Sequence, residues 1–443
     1  MKLEEGLASK LYSLSKIVLE ESSKTKISTI SRLYLKQKID DINKSRSQQY
    51  IMREELNIRE VFTFRSSIKK ISEYSEIVSL ISKEYGINKD PADDMLLNFF
   101  SNLLFERSSG IGMNYRTTVT DSLLLEYVTE FIGSLNQVPP TQCITLWIEG
   151  LMLEEQEYQI SENMLIRKVR TSDLEVEIPI DDVLFSMQFG IYNVPDDSSA
   201  ILELRYKGLT EGAKKEVNTI LTSLMLYRLG SIFSQREDRE LISYRPSKST
   251  GFSGKIYTPY YKYTLKKEDI PYLNVLIGII RDQLPLTLDG SNPIHIAFER
   301  YNQALLKPES IENRITFVIN CLEALYLKRE ERAELSHRLG QRVSAILRHL
   351  DFIPIEVYRD IIKAYDIRSN YIHGQIEPEK HGDATKLEKK VFEYARISLL
   401  VFIQLMPRYS KEEIINRADN SLLDAAVCYK LERIIISNCK IFK

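Results

Sequence analysis

The chain has 443 residues, beyond the size at which one apolar core usually keeps growing, so two or three domains are expected. Its 43% apolar and 28% charged residues are ordinary for a globular chain, and a net charge of −2 excludes any argument from overall charge to a particular partner. Only 17 glycines and 14 prolines occur, which favours long helices over many short strands.

Residues 1–138 read as a helical N-terminal region. Leu7, Leu11, Leu14 and Val18 recur at steps of three and four, and IVSLISKEYG and SLLLEYVTEFIGSL repeat the pattern. Residues 1–70 carry 15 Lys/Arg against 9 Asp/Glu, a surplus that suits either a solvated helical face or a surface for phosphates. Asp90, Asp93 and Asp94 in DPADDM could hold a divalent cation, but acids in a first helical turn also complement the helix dipole unaided. The N-terminus has acids where a signal peptide needs an apolar run, and RISLLVFIQLMP is far shorter than the ~18 residues of a membrane span. A cytoplasmic protein without membrane attachment is expected. Cys143, Cys321, Cys428 and Cys439 are widely spaced, which suits reduced thiols and neither a disulfide frame nor a zinc site.

Periodicity changes after Pro140. ITLWIEGLML, YQIS, MLIRKVR, LEVEIP and ILELRYKG are short stretches between polar turns, so residues 141–207 predict a small sheet, followed by a helix over KKEVNTILTSLMLYRLGSIF. Residues 139–262 are assigned to this α/β domain. Asp181, Asp182 and Glu203 loosely resemble the acids of a metal-dependent nuclease, but Arg205 occupies the place of its lysine. YRPSKSTGFSGKIYTPYYKY, residues 244–263, ends the domain. Its Gly251, Gly254 and Lys255 lack phosphate-loop spacing. Tyr257, Tyr260 and Tyr261 interleaved with Lys255 and Lys262 could stack bases and hold phosphates, as single-strand binders do; packing on a neighbouring domain is the plainer reading.

Residues 263–443 read as consecutive amphipathic helices with short connections, hence an antiparallel bundle. The fold class expected is mostly α with a small central β region, α+β. Within the bundle, Arg368–Ser369–Asn370–Tyr371–Ile372–His373 is followed by Gly374. The R-x-x-x-x-H spacing alone says little, because Arg332 and His337 repeat it in RAELSH.

The surrounding elements say more. AFERYNQALL, ENRITFVINCLEALYL, ELSHRLGQRVSAIL and IIKAYDIRSNYIHG, in that order over about 295–405, closely resemble the HEPN superfamily, specifically its ApeA-like branch. That resemblance implies a helical bundle whose terminal R-x(4–6)-H motif is a metal-independent ribonuclease site, carried here by Arg368 and His373, with Arg332/His337 as the coincidental copy. It further implies a homodimer with a composite cleft, a 2′,3′-cyclic phosphate product, no cofactor, and a role in antiviral defence by abortive infection on tRNA or other cellular RNA. Ser369 and Asn370 are the polar neighbours that could assist, Tyr371 is a supporting residue, and Glu323 could pair with Arg338, Arg342 or Arg368.

The residue types suit the chemistry. Histidine titrates near neutrality and can serve as base or acid. Arginine offers a permanent charge and a planar fork for phosphate oxygens. Asn370 is three residues from His373 and shares its helical face, whereas Arg368 lies about 140° round an ideal helix. Two copies related by a two-fold axis would bring two histidines and two arginines to one cleft. A non-catalytic RNA-binding or assembly module is the alternative.

Overall fold

Packing in the chain centres on two separate apolar cores. The structure, a computed structural model, describes residues 6–24, 29–41, 45–56, 63, 65–87, 89–104, 119–135, 141–170, 173, 176–179, 199–207, 210–242, 247–252, 259–288, 290, 292–307, 310–374 and 381–440. The architecture is mostly helical with antiparallel sheet, the α+β class that the periodicities predict.

The first core belongs to helices α1 (Leu7–Lys24), α2 (Ser72–Tyr85), α3 (Lys89–Leu104) and α4 (Asp121–Leu135). Leu7, Leu11, Leu14 and Val18 are all buried, so the helical stripe read from the sequence is the packed face. Phe99, Phe100 and Phe131 fill the centre, with ring centroids 4.7 Å apart for Phe99–Phe131. Of the DPADDM acids, Asp93 serves this packing: it accepts from the Tyr74 hydroxyl at 2.8 Å and pairs with Lys69 at 2.5 Å, while Asp90 and Asp94 are exposed.

One expectation needs correcting here. Residues 1–138 are not helical throughout, because strands β1 (Thr29–Asp41) and β2 (Ser45–Leu56) form an antiparallel ribbon between α1 and α2. Leu, Lys, Gln, Arg and Glu are good helix formers, so local propensity favours helix in this stretch and cross-strand pairing overrides it.

The second core spans the central and C-terminal regions. Strands β3 (Thr141–Glu149), β4 (Leu151–Leu153), β5 (Glu157–Ser161), β6 (Met164–Lys168), β7 (Val176–Pro179) and β8 (Ser199–Lys207) follow the predicted stretches. β7 leaves its neighbours and pairs with β1, in the order β2-β1-β7. The remaining sheet has the order β10-β9-β3-β8-β6-β5, where β9 (Phe233–Ile242) and β10 (Ser247–Phe252) lie beyond the predicted sheet. Register pairs Ile144 with Leu204, Leu146 with Leu202 and Ile148 with Ala200, which places all six buried residues on one face. That face is covered by α5 (Thr210–Tyr227) and α6 (Ile270–Leu288), through Val217, Ile220, Leu224, Leu273, Leu276 and Ile280. A short strand β11 (Tyr263–Leu265) runs parallel to β4.

The same core continues without a break into helices α7 (Pro293–Leu306), α8 (Ile311–Tyr326), α9 (Leu335–Leu347), α10 (Pro354–Ile372), α11 (His381–Leu405), α12 (Lys411–Ser421) and α13 (Ala425–Asn438). The boundary expected at 262/263 therefore falls inside packed structure. Among the described residues no helix is long and apolar enough to cross a membrane.

Candidate functional site

α10 carries the R-x-x-x-x-H segment, and its ends are set by ordinary signals. Pro354 occupies the first turn, where its missing N–H costs nothing. Val357, Ile361 and Ala364 bury one face. At the other end the His373 N–H donates to the Ser369 carbonyl at 3.1 Å, and Gly374 turns left-handed at φ 71°. Glycine adopts that conformation without the strain a Cβ would bring, so the helix stops just after His373.

The two motif residues have different surroundings. His373 and Asn370 are exposed on the last turn, with Ile372 beside them 56% exposed. Arg368 is half-buried: its Nη2 lies 3.3 Å from Glu323 Oε2 on α8, and its guanidinium carbon sits 5.1 Å from the Tyr365 ring centre. Its Nε is buried with no hydrogen-bond partner among the described residues. Burial pushes the Glu323 carboxyl above its usual range, while the Arg368 charge and the Tyr365 hydroxyl pull it back only in part. Of the three arginines open to Glu323, the structure selects Arg368. It does not bring Arg368 to His373 within one chain, in keeping with their angular separation on the helix. Ser369 and Tyr371 are half-buried.

Tyr365 is the member of this group that the sequence reading passed over. It lies three residues before Arg368, one turn away on the same side, and that spacing was the available signal.

In the second R-x-x-x-x-H copy both Arg332 and His337 are exposed, and the neighbouring residues tie α9 to α10 and α12. His337 Nδ1 is 2.7 Å from the Tyr358 hydroxyl, and the rings stack with centroids 6.3 Å apart. Gly340 lets Tyr358 approach closely, since a Cβ there would lie 2.9 Å from Tyr358 Cδ2. Arg342 is buried and satisfies all five N–H groups: Glu331, Asp419 and the Tyr326 carbonyl accept at 2.6–2.9 Å. These contacts hold the end of α8, and so Glu323, in place.

The tyrosine-lysine segment is divided. Lys255 and Tyr257 lie outside the described residues. Tyr261 is half-buried against Phe392, with centroids 5.4 Å apart, and Tyr260 stacks on Arg314 at 3.6 Å. Burial, with the nearby Glu388 carboxylate, raises the Tyr261 hydroxyl pKa. Arg314 in turn donates to the fully buried Glu388 at 2.6 Å. The geometry thus gives Tyr261 a packing role in place of the base-stacking one, and one face of Tyr260 is already occupied. Lys262 is exposed.

Asp181 and Asp182 also lie outside the described residues, and Glu203 is engaged by Arg167 at 2.6 Å. Arg167 bridges onward to Asp173. No group of three or more His, Cys, Asp or Glu side chains with metal-holding geometry occurs among the described residues.

A scan against protein-family models, a search of curated proteins and a search of solved structures each found no match to this chain.

Proposed function

We propose that this chain is a metal-independent endoribonuclease of the HEPN type, with its active site shared between two copies that oppose the C-terminal ends of α10. The observation that carries this reading is the exposed imidazole of His373 at a glycine-terminated helix end, one turn and a half beyond a guanidinium braced on Glu323 and Tyr365. One chain places a single imidazole at this helix end, whereas the reaction needs both a base and an acid; a two-fold pair supplies two imidazoles. One imidazole takes the proton from the RNA 2′-hydroxyl as its oxygen attacks phosphorus. The second imidazole protonates the departing 5′-oxygen. The products are a 2′,3′-cyclic phosphate and a 5′-hydroxyl end. Arg368 stabilises the crowded, negatively charged phosphorane, and Asn370 orients the imidazole or donates to phosphate. A role in abortive infection, with tRNA or another cellular RNA as target, is the biological setting that the family resemblance suggests.

The Arg368–Glu323 ion pair favours a second reading, a non-catalytic RNA-binding or assembly module in which the arginine only ties α10 to α8. Incubating labelled RNA with the protein in EDTA, beside His373→Ala, separates the two. The nuclease reading expects cleavage that falls by about 10²-fold or more in the variant, since that is the usual range for losing a positioned acid or base. Intact RNA that remains bound supports the module.

A further inference from the structure

The outer face of α11 is cationic over its first turns. Thr385, Lys386, Lys389, Lys390 and Glu393 are the described residues lining an open groove of about 470 Å³. The opposite face of the same turns is buried through Leu387, Glu388, Val391 and Phe392, so the helix is fixed and the lysines project from a rigid support. Lys390 is held at 3.1 Å by Asp360 of α10, and Glu393 is taken by Arg396 at 2.8 Å. Lys386 and Lys389 have no ion-pair partner among the described residues.

The Lys390–Asp360 contact fixes the groove against α10. Lys363, three residues beyond Asp360, is exposed and also unpaired among the described residues. Seven residues further, two helical turns on the same face, comes the exposed Asn370, and then His373. From Asp360 to His373 is roughly 20 Å along the helix at 1.5 Å per residue. Lys363 therefore lies between the α11 lysines and the end of α10, with the exposed Asp366 one turn beyond it on the same face and Glu356 and Asp360 facing Lys390. None of the exposed large apolar side chains is among the described groove residues; Ile372, beside His373, is the exposed one at the end of α10.

We propose that Lys386 and Lys389, continued by Lys363, form a phosphate track that binds single-stranded RNA and leads it to the α10 end; this rests on the ribonuclease reading for its destination, though not for its binding. Ammonium groups on flexible stems suit sequence-independent contact with phosphates, because each acts as a point charge and none reads a base edge.

The test is fluorescence anisotropy with a labelled oligo-uridine in EDTA across a salt series. Lys386→Glu/Lys389→Glu should weaken binding by about ten-fold or more, and the salt slope should fall by about 1.4, the loss of two single-strand phosphate contacts. Lys386→Gln/Lys389→Gln should lose affinity to a smaller degree, and Lys83→Glu, a distant surface change, should bind as the wild type does. His373→Ala should bind fully while losing cleavage. Undiminished affinity and slope in both lysine pairs, with unchanged melting temperatures, overturns the track and leaves the nuclease reading standing. Weakened binding in the lysine variants, beside a wild type that binds but cuts no RNA, keeps the track and sinks the nuclease. A wild type that binds phosphatidylserine vesicles but not RNA also overturns the proposal.

Discussion

Two arginines in the bundle show how little sequence spacing says about the work a charged residue does. Arg342 is buried, with every donor used on Glu331, Asp419 and a helix-end carbonyl. Arg368 is half-exposed, holds one carboxylate at the long distance of 3.3 Å, and leaves Nε unpaired among the described residues. The first is a finished structural clamp; the second leaves a buried donor unused. From the sequence, either could have paired with Glu323, because only the three-dimensional register of α8 against α9 and α10 decides. The clamp has a measurable pH signature. The Arg342 guanidinium, with the Lys328 N–H, holds the Glu331 carboxyl down at about 2 from an ordinary 4.5. A depressed folded pKa means stability that is fully present above the unfolded pKa and is lost as pH falls through the folded one. The urea midpoint of the wild type should thus exceed that of Glu331→Gln by an amount worth about 1–2 kcal/mol at pH 7, shrinking between pH 5 and pH 2. A gap that stays constant across this range would refute the assignment.

Elements were legible where packing follows a single period. The α1 stripe, the strands β3 to β6 and β8, and the run of bundle helices all bury residues that their periodicity marks. β9 escaped because its sequence, FSQREDRELI, offers charge where a central strand usually offers apolar residues. Arg236 with Asp238 and Arg239 with Glu237 pair within the strand, and Arg236 lies over Trp147 at 5.5 Å, so neutralisation along the strand replaces apolar burial. The β1–β2 ribbon escaped for the opposite reason, its residues being good helix formers. Glycine positions carry sharper information once the fold is known. Gly150 joins β3 to β4 at φ 82°, and a Cβ there would lie 2.3 Å from the Ser231 carbonyl oxygen. That oxygen belongs to backbone and cannot swing aside. Gly150→Ala should therefore cost about 3 kcal/mol or more, combining positive-φ strain with a forced backbone shift. Gly374→Ala meets open space at φ 71° and should cost only about 1 kcal/mol. Chemical denaturation of the two variants side by side tests this ordering; equal losses would contradict it.

At the scale of the whole molecule, the placement of buried donors decides which pieces can stand alone. The resemblance to a helical bundle invites treating residues 263–443 as a separable catalytic unit, yet the core beneath the six-stranded sheet and the core of the bundle are one. Arg396 makes the point. It sits in the middle of α11, 1% exposed, and its Nη1 donates to the carbonyls of Leu226 and Tyr227 at 2.6 and 2.9 Å. Those carbonyls close α5, which precedes the boundary. Ser231 likewise donates to the Leu305 carbonyl at 2.9 Å, and Arg228 pairs with the buried Asp269 at 2.8 Å. Cutting at 262/263 would strip all of these partners at once and uncover the apolar faces of α6 and α7. Losing one partner of a buried charge costs about 3–5 kcal/mol, a large share of a typical domain's stability of about 5–15 kcal/mol. A fragment of residues 263–443 should accordingly bind a hydrophobic dye and melt without a cooperative transition. Residues 139–443 keep every partner named above, so that fragment should melt cooperatively, as the second core does in the full chain. A sharp melt of 263–443 at the same temperature as 139–443 would show that the sheet is an accessory to the bundle. The shared core argues the reverse: α5 and α6, which pack on the sheet, also hold α11 through Arg396 and common apolar side chains, and α11 in turn holds α10 through Lys390 and Asp360.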